Sequence, residues 1–197
     1  MKRIEICGGI ASGKTTLARL FEIDEFGSVF ENFKSNPFWE IFYKSPPSYA
    51  FETEVTFTLQ HYHQIKIASA PRNGTVVSDY SSVLDLAYAH VSLSGRQLET
   101  YLSVHGQVVS EIGQPDLLVH LQCGADELLR RIRNRNRSEE AAMTVEFLED
   151  LNASLNERVE EFSAAGQKIV SIDSEACNFA DNAEEAARVV SEITNSL

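Results

Sequence analysis

Apolar and polar residues alternate through Arg3-Ile4-Glu5-Ile6-Cys7, the period of a short strand. Past three glycines the period changes. Thr16 to Glu22 carries apolar residues at 17, 20 and 21, the spacing of a helix. Ser28 to Glu31 reads as a second short strand. Asn36 to Tyr43 reads as a short helix, with Asn36 near its cap and Pro37 in its first turn. Pro46-Pro47 breaks the chain, and a long helix is expected from about Ser48 to about Ser69. Its apolar stripe, Phe51, Val55, Leu59 and Tyr62, follows helical spacing. Glu54, Thr58 and His61 lie along one edge of that stripe, placed to be half-buried.

Pro71 to Gly74 is a turn, and Thr75 to Asp79 is a strand ending in a carboxylate. Ser82-x-x-Asp85 has the capping-box pattern for a helix to about Leu93. Another helix follows Gly95 to about Ile112. Leu117 to Leu121 is an unbroken apolar run, typical of a strand covered on both faces. A helix from about Asp126 carries Arg130, Arg131, Arg133, Arg135 and Arg137. Thr144 caps a helix to about Ala164, Lys168 to Asp173 is a last strand, and Asp181 to Glu184 resembles a capping box.

Five short strands alternating with helices predict a three-layer α/β fold, a five-stranded, mostly parallel sheet flanked by helices. With no linker, repeat or low-complexity tract, residues 1–197 are expected to form one domain. Ligands of such sheets sit at the carboxyl ends of the strands. The loop after the first strand, Glu31 and Asp79 all fall at that edge.

That first loop, Gly8-Gly9-Ile10-Ala11-Ser12-Gly13-Lys14-Thr15, fits the P-loop pattern in its required strand–loop–helix setting. Its glycines let several N–H groups converge on one anion, and the following helix adds its N-terminal dipole. Lys14 is suited to the outer phosphates and the Thr15 hydroxyl to a nucleotide-bound Mg²⁺. Gly8 through Thr16 is therefore assigned to the phosphates of a nucleoside triphosphate such as ATP. The residues leave open what receives the phosphate.

A net charge of −12 argues against a general nucleic-acid binder. No apolar run approaches the ~18 to 20 residues of a membrane span. Cys7, Cys123 and Cys177, odd in number and without paired spacing, read as thiols of a reducing cytoplasm. The acidity also means that an anion site has to be locally basic. Five of the 17 basic residues fall between 130 and 137. Arg131 and Arg135 share a helix face and suit phosphate oxygens. The segment from about 130 to 142 is read as a mobile arginine-bearing lid. The plainer alternative is a solvated basic face paired with Glu139, Glu140 and Glu146.

Glu31 is placed to act as a base toward an acceptor hydroxyl, against the commoner fate of a solvated carboxylate. Asp79 is suited either to Mg²⁺ or to capping the next helix. His61 and His63, two apart on a helix, face different ways and form no metal pair.

Several segments resemble the deoxyribonucleoside kinase family, closest to its compact bacterial deoxyadenosine/deoxyguanosine type. Glu31 followed by Asn36-Pro37-Phe38 and Phe42-Tyr43-Lys44 is similar to the family's Glu-Pro-Val, Asn-Pro and Tyr-Lys segment. Arg131 to Glu140, then Glu146 to Leu151, is similar to its lid and following helix. The resemblance implies ATP-dependent phosphorylation of a deoxyribonucleoside 5′-hydroxyl, and a homodimer through long helices. It implies Glu31 as the base, and Tyr43 and Glu140 at the sugar 3′-hydroxyl. Arg131 and Arg135 fall on the transferring phosphate, Asp79 assists Mg²⁺, and Glu54 and Asp85 lie in the base pocket. The chain departs from the pattern at Asp79-Tyr80-Ser81, which lacks an arginine, and at His61, Glu54 and Asn32. Two rivals follow: a nucleoside monophosphate or other small-molecule kinase on the same scaffold, and a nucleotide-binding regulatory protein with weakened catalysis.

Overall fold

The computed structural model describes residues 1–24, 26–68 and 74–197. Five strands form one parallel sheet: β1 (Lys2–Gly8), β2 (Gly27–Val29), β3 (Thr75–Ser78), β4 (Leu117–Gln122) and β5 (Ile169–Asp173). Their order is β2-β3-β1-β4-β5, with Ile4 opposite Val77 on one side and Leu117 on the other. Eight helices accompany them among the described residues: α1 (Lys14–Leu20), α2 (Trp39–Lys44), α3 (Pro46–Ile67), α4 (Ser82–Ser92), α5 (Gly95–Ile112), α6 (Ala125–Arg135), α7 (Val145–Ala164) and α8 (Ala183–Ser196).

The strand pleat sorts residues into two cores. Ile4 and Ile6 of β1 join Leu117, Val119 and Leu121 of β4 against Leu17 of α1 and Val189 and Ile193 of α8. Cys7 and Leu118, of opposite parity, pack against Val83 of α4, Leu128 of α6 and Leu148, Leu151 and Leu155 of α7. The three-layer expectation holds. A third cluster, Phe42, Ala50, Ala89, Leu93 and Tyr101, joins α2, α3, α4 and α5.

The polar residues of β1 are structural. The Arg3 Nε donates to Glu5 Oε1 at 2.9 Å, and its Nη1 and Nη2 donate to the Ile112 and Gly113 carbonyls at the end of α5. Glu5 Oε2 accepts the Ser82 N–H at 3.0 Å, where a carboxylate complements the α4 dipole. One buried ion pair thus ties the start of α4 and the end of α5 to the central strand.

Several expected boundaries shift for local reasons. Pro46 and Pro47 open α3 instead of breaking the chain before it, since first-turn N–H groups need no helical partner. The cap of α4 is Ser81, whose Oγ accepts the Leu84 N–H at 3.1 Å; Ser82 lies inside the helix and Asp85 caps nothing. Asn182, not Asp181, caps α8, accepting from the N–H groups of Glu184 and Glu185. Thr144 caps α7 as expected, accepting from the Phe147 N–H. Strand β2 ends at Val29, so Glu31 lies two residues beyond it. The turn expected at Pro71 to Asn73 and the helix end at Ser69 lie outside the described residues.

The largest difference concerns α3. Thr53, Glu54, Thr58 and His61 are buried, while Leu59 is 46% exposed. Phe51 and Val55 reach only the margin of the third cluster. The polar edge faces inward because it forms the wall of a cleft, and the buried groups find partners there. Apolar sheet residues have no such partners and depend on packing alone. Leu118 is fully buried. Leu118→Ala is expected to cost about 2–5 kcal/mol, read as a shift in the urea unfolding midpoint.

Candidate functional site

The P-loop runs from the end of β1 into α1. Gly8 holds φ +152° and Gly13 φ +105°, and a Cβ on Gly8 would meet the Leu121 carbonyl oxygen at 2.8 Å. At Gly8 a side chain would collide with backbone, and at Gly13 it would sit in a strained left-handed conformation against the Phe179 ring. Ala11, at φ 65°, keeps a left-handed conformation in the same turn. The Lys14 ammonium donates to the Gly8 and Gly9 carbonyls at 2.9 Å each. The cradle is formed with its lysine folded over it. Burial pulls the Lys14 pKa down, against the opposing charges of Glu31 and Asp79.

Asp79, just past β3, links this loop to its neighbour. Its Oδ2 accepts the Thr15 hydroxyl at 2.5 Å, and its Oδ1 accepts the Glu31 N–H at 2.7 Å. It faces the P-loop; the capping role belongs to Ser81. Glu31 keeps 34% of its side chain accessible within the cleft. Burial alone would raise its pKa, but the contact with His61, then the charges of Lys14 and Arg137, hold the carboxyl below its ordinary range.

The opposite wall comes from α3 and α4. His61 Nδ1 lies 3.0 Å and 2.9 Å from the two oxygens of Asp85, and Nε2 lies 3.3 Å from Glu31 Oε1. The Tyr80 ring stacks on the imidazole at 4.0 Å between centroids, 10° from parallel. Burial would favour neutral imidazole, but Asp85 and then Glu31 raise its pKa to about 10. Burial and the Asp85 charge push Glu54 up to about 8, so at neutral pH it is protonated. A protonated carboxyl offers one donor and one acceptor. Tyr43 lines the same wall, edge-on to Trp39 at 5.8 Å. Burial and the charges of Glu140 and Glu31 raise its pKa.

The arginine run closes the third side. Arg131 donates from Nε to Glu127 at 2.7 Å and from Nη2 to the Ser174 carbonyl at 2.7 Å, while Nη1 reaches the Ser12 carbonyl at 3.5 Å. Arg135 donates from Nε at 2.8 Å and Nη2 at 2.5 Å to Glu140 Oε2, and Arg137 pairs with Glu140 Oε1 at 3.4 Å. Of the acids expected for a plain basic face, Glu140 pairs within the run, and Glu127 supplies the other contacts. Glu140 is buried. The Arg137 guanidinium also lies 4.6 Å from the centre of the Phe33 ring.

These walls enclose a cleft of about 660 Å³, the size of a small-molecule site. Ile10, Ala11, Gly13 to Thr16, Glu31, Tyr43, Glu54, Asp79, Asp85, Arg131, Arg135 and Glu140 all line it. Gly8, Gly9 and Ser12 lie beneath as scaffold. The sequence reading missed Arg19, Phe30, Phe57 and Tyr88, which also face the cleft. Aromatic residues at the last three positions give the same sequence signal as core residues, and Arg19 that of a solvated helix residue.

A parallel sheet in the order 2-3-1-4-5, a phosphate loop after β1 and a carboxylate after β3 together define a P-loop nucleotide-binding protein. The family model for deoxynucleoside kinases matches residues 4–197, and the chain belongs to that family. Its members are phosphotransferases acting on a hydroxyl group. The chain is 25% identical to deoxyguanosine kinase of Bacillus subtilis over 96% of its own length and 95% of the relative's. It is 30% identical to deoxyguanosine kinase of Lactobacillus johnsonii over 76% of this chain and 71% of the relative. The solved structure of deoxyadenosine kinase from M. mycoides with bound dCTP superposes with a TM-score of 0.83. It shares the fold at 20% identity, over 99% of this chain and all of that one.

The environment of Glu54 gives a stability test. A folded pKa of about 8 lies above the ordinary carboxyl value of 4.5. Its contribution is complete below the unfolded pKa and is lost as pH rises through about 8. Glu54→Gln, the isostere of the protonated acid, is expected to match the parent in urea unfolding near pH 5 and exceed it near pH 9.

Proposed function

We propose that the protein transfers the γ-phosphoryl group of ATP to the 5′-hydroxyl of a deoxyribonucleoside. The observation that carries this reading is the shared cleft of Glu31, Lys14 and the arginine run. Asp79 bonds to both the phosphate loop and the Glu31 backbone, supporting one reaction centre.

In this reading Gly8 through Thr16 hold the triphosphate, with Lys14 leaving the loop carbonyls for the outer phosphates. The Thr15 hydroxyl and Asp79 carboxylate are hard oxygen donors, a fit for Mg²⁺. When bound, the ion supplies neutralising charge on the phosphate oxygens. No group of three or more His, Cys, Asp or Glu side chains suited to a metal occurs among the described residues. The nucleotide phosphates would complete its ligand set. Glu31 takes the proton as the O5′–H bond breaks; O5′ bonds to the γ-phosphorus and ADP departs with the electron pair of the broken P–O bond. Arg131 and Arg135 belong to a lid of about residues 130–142 that closes on the developing charge. Tyr43 and Glu140 hold the sugar 3′-hydroxyl, and Glu54 and Asp85 face the base.

The cleft composition disfavours the monophosphate-kinase reading. Among the described lining residues outside the P-loop and lid, Arg19 is the one arginine or lysine. Arg96 is exposed at the start of α5 and does not line the cleft. An unphosphorylated acceptor fits better. The net charge of −12 fits a small-molecule partner and not nucleic acid. No helix among the described residues is long and apolar enough to cross a membrane. Three free cysteines fit a cytoplasmic setting. Exposed Leu59 and Ile67 on α3 and Leu102 on α5 support a homodimer through the long helices.

The test is a panel of deoxyribonucleosides with ATP and Mg²⁺, with mass detection of the 5′-monophosphate. Product from at least one nucleoside is expected; none from any would support the regulatory reading. Glu31→Gln is expected to lower kcat about 10²- to 10⁴-fold and leave ATP affinity within about twofold. Near-normal turnover in that variant would remove Glu31 from the base role.

A further inference from the structure

Three elements meet at His61, and the cleft reading above gives this residue no task. It sits on α3, buried. Both Asp85 oxygens lie within 3.0 Å of Nδ1, and Nε2 points at Glu31 Oε1. Tyr80 lies flat on one face of the ring, and Phe57 lies 5.8 Å away on the same helix, 28° from parallel. An imidazole clamped by a stacked ring and a two-oxygen carboxylate contact has little rotational freedom. Its remaining nitrogen then points in a fixed direction, toward Glu31.

We propose that His61 is the positioning residue of the catalytic carboxylate, with Asp85 fixing the imidazole and Tyr80 fixing its plane. This inference rests on Glu31 acting as the base. Glu31 is held at two points. Its backbone N–H is bound by Asp79, and its side chain is met by His61. The contact engages Oε1, which assigns Oε2 to the acceptor hydroxyl. The geometry of Nε2 and Oε1 is that of an ion pair, 3.3 Å apart and outside hydrogen-bond alignment. A modest side-chain adjustment on substrate entry closes it, as catalytic contacts often tighten in the reactive complex. Asp85 then acts on turnover through His61 as well as facing the base. Tyr80 contributes the face on which the cationic ring rests.

The alternative task for His61 is contact with the nucleoside alone. The two differ in kinetics. A residue that aims Glu31 changes the reacting geometry, where a displacement of about 1 Å costs on the order of 10²-fold. A residue that only grips the nucleoside changes KM.

The experiment is a double-mutant cycle on steady-state kinetics, with ATP, Mg²⁺ and the best nucleoside of the panel. His61→Gln is expected to lower kcat about 10- to 100-fold and move the nucleoside KM by less than about threefold. In the Glu31→Gln background the same change is expected to alter kcat by less than about twofold. If the two losses multiply, or if His61→Gln raises KM with kcat intact, His61 does not act through Glu31 and the proposal falls. Should His61→Gln fail to fold, Asp85→Asn keeps the shape of the side chain and enters the same cycle. Its kcat loss is expected to vanish in the Glu31→Gln background, and persistence of that loss overturns the proposal. Near-normal turnover of Glu31→Gln alone is a separate result: it ends the base reading, and this inference with it.

Discussion

One carboxylate holds the site together. Asp79 follows the last residue of β3, next to the central strand, and spends its two oxygens on different neighbours. The Thr15 hydroxyl takes one and the Glu31 N–H the other. The parallel register that sets β3 beside both β1 and β2 makes this possible. Without it, the loop after β2 would have no tie to the phosphate loop, and Glu31 would lie on an irregular segment of unspecified direction. The fold contributes the adjacency of three strand ends, and Asp79 converts that adjacency into a fixed distance between the two halves of the cleft.

The strand period and the glycine spacing made most of this edge legible in the sequence. β1, β3, β4 and β5 follow alternation or unbroken apolar runs, because a sheet covered on both faces demands them. The P-loop is readable because its chemistry restricts residue types at fixed spacing. The caps were harder. Ser81 and Ser82 stand side by side, and only the position of Glu5, which takes the Ser82 N–H, decides between them. That information lies 77 residues away in the chain. Asn182 displaces Asp181 as the cap of α8 in the same way, by a choice between adjacent competent residues.

Helix α3 shows why the cleft itself was the least legible part. Phe51, Val55, Leu59 and Tyr62 form a regular apolar stripe, and by hydrophobicity alone that stripe belongs inside. The helix instead buries Thr53, Glu54, Thr58 and His61. Burying polar groups is costly unless partners meet them, and the partners sit on other elements: Tyr101 for Thr58, Asp85 for His61. A periodicity argument sees one helix at a time and cannot register them. The spacing of Glu54, Thr58 and His61 marked an edge, but the depth of burial came from α4 and α5.

Charge balance explains how so acidic a chain gathers its arginines at one cleft. Arg135 and Arg137 both bind the buried Glu140, which anchors the end of the arginine run and limits where its guanidinium groups can lie. Arg131 is turned toward the P-loop by Glu127 and the Ser174 carbonyl. Each acid here orients a cation and is itself largely neutralised in doing so. On the opposite wall, Glu54 is protonated near neutrality and Asp85 is matched by His61. Glu54, Asp85 and Glu140 are therefore discharged or paired, Asp79 is held by the Thr15 hydroxyl and the Glu31 N–H, and Lys14, Arg19, Arg131 and Arg135 line the same cleft. The excess negative charge resides on the outer helices, where water screens it. The cleft gathers Lys14, Arg19, Arg131, Arg135 and Arg137 in a chain whose net charge is −12.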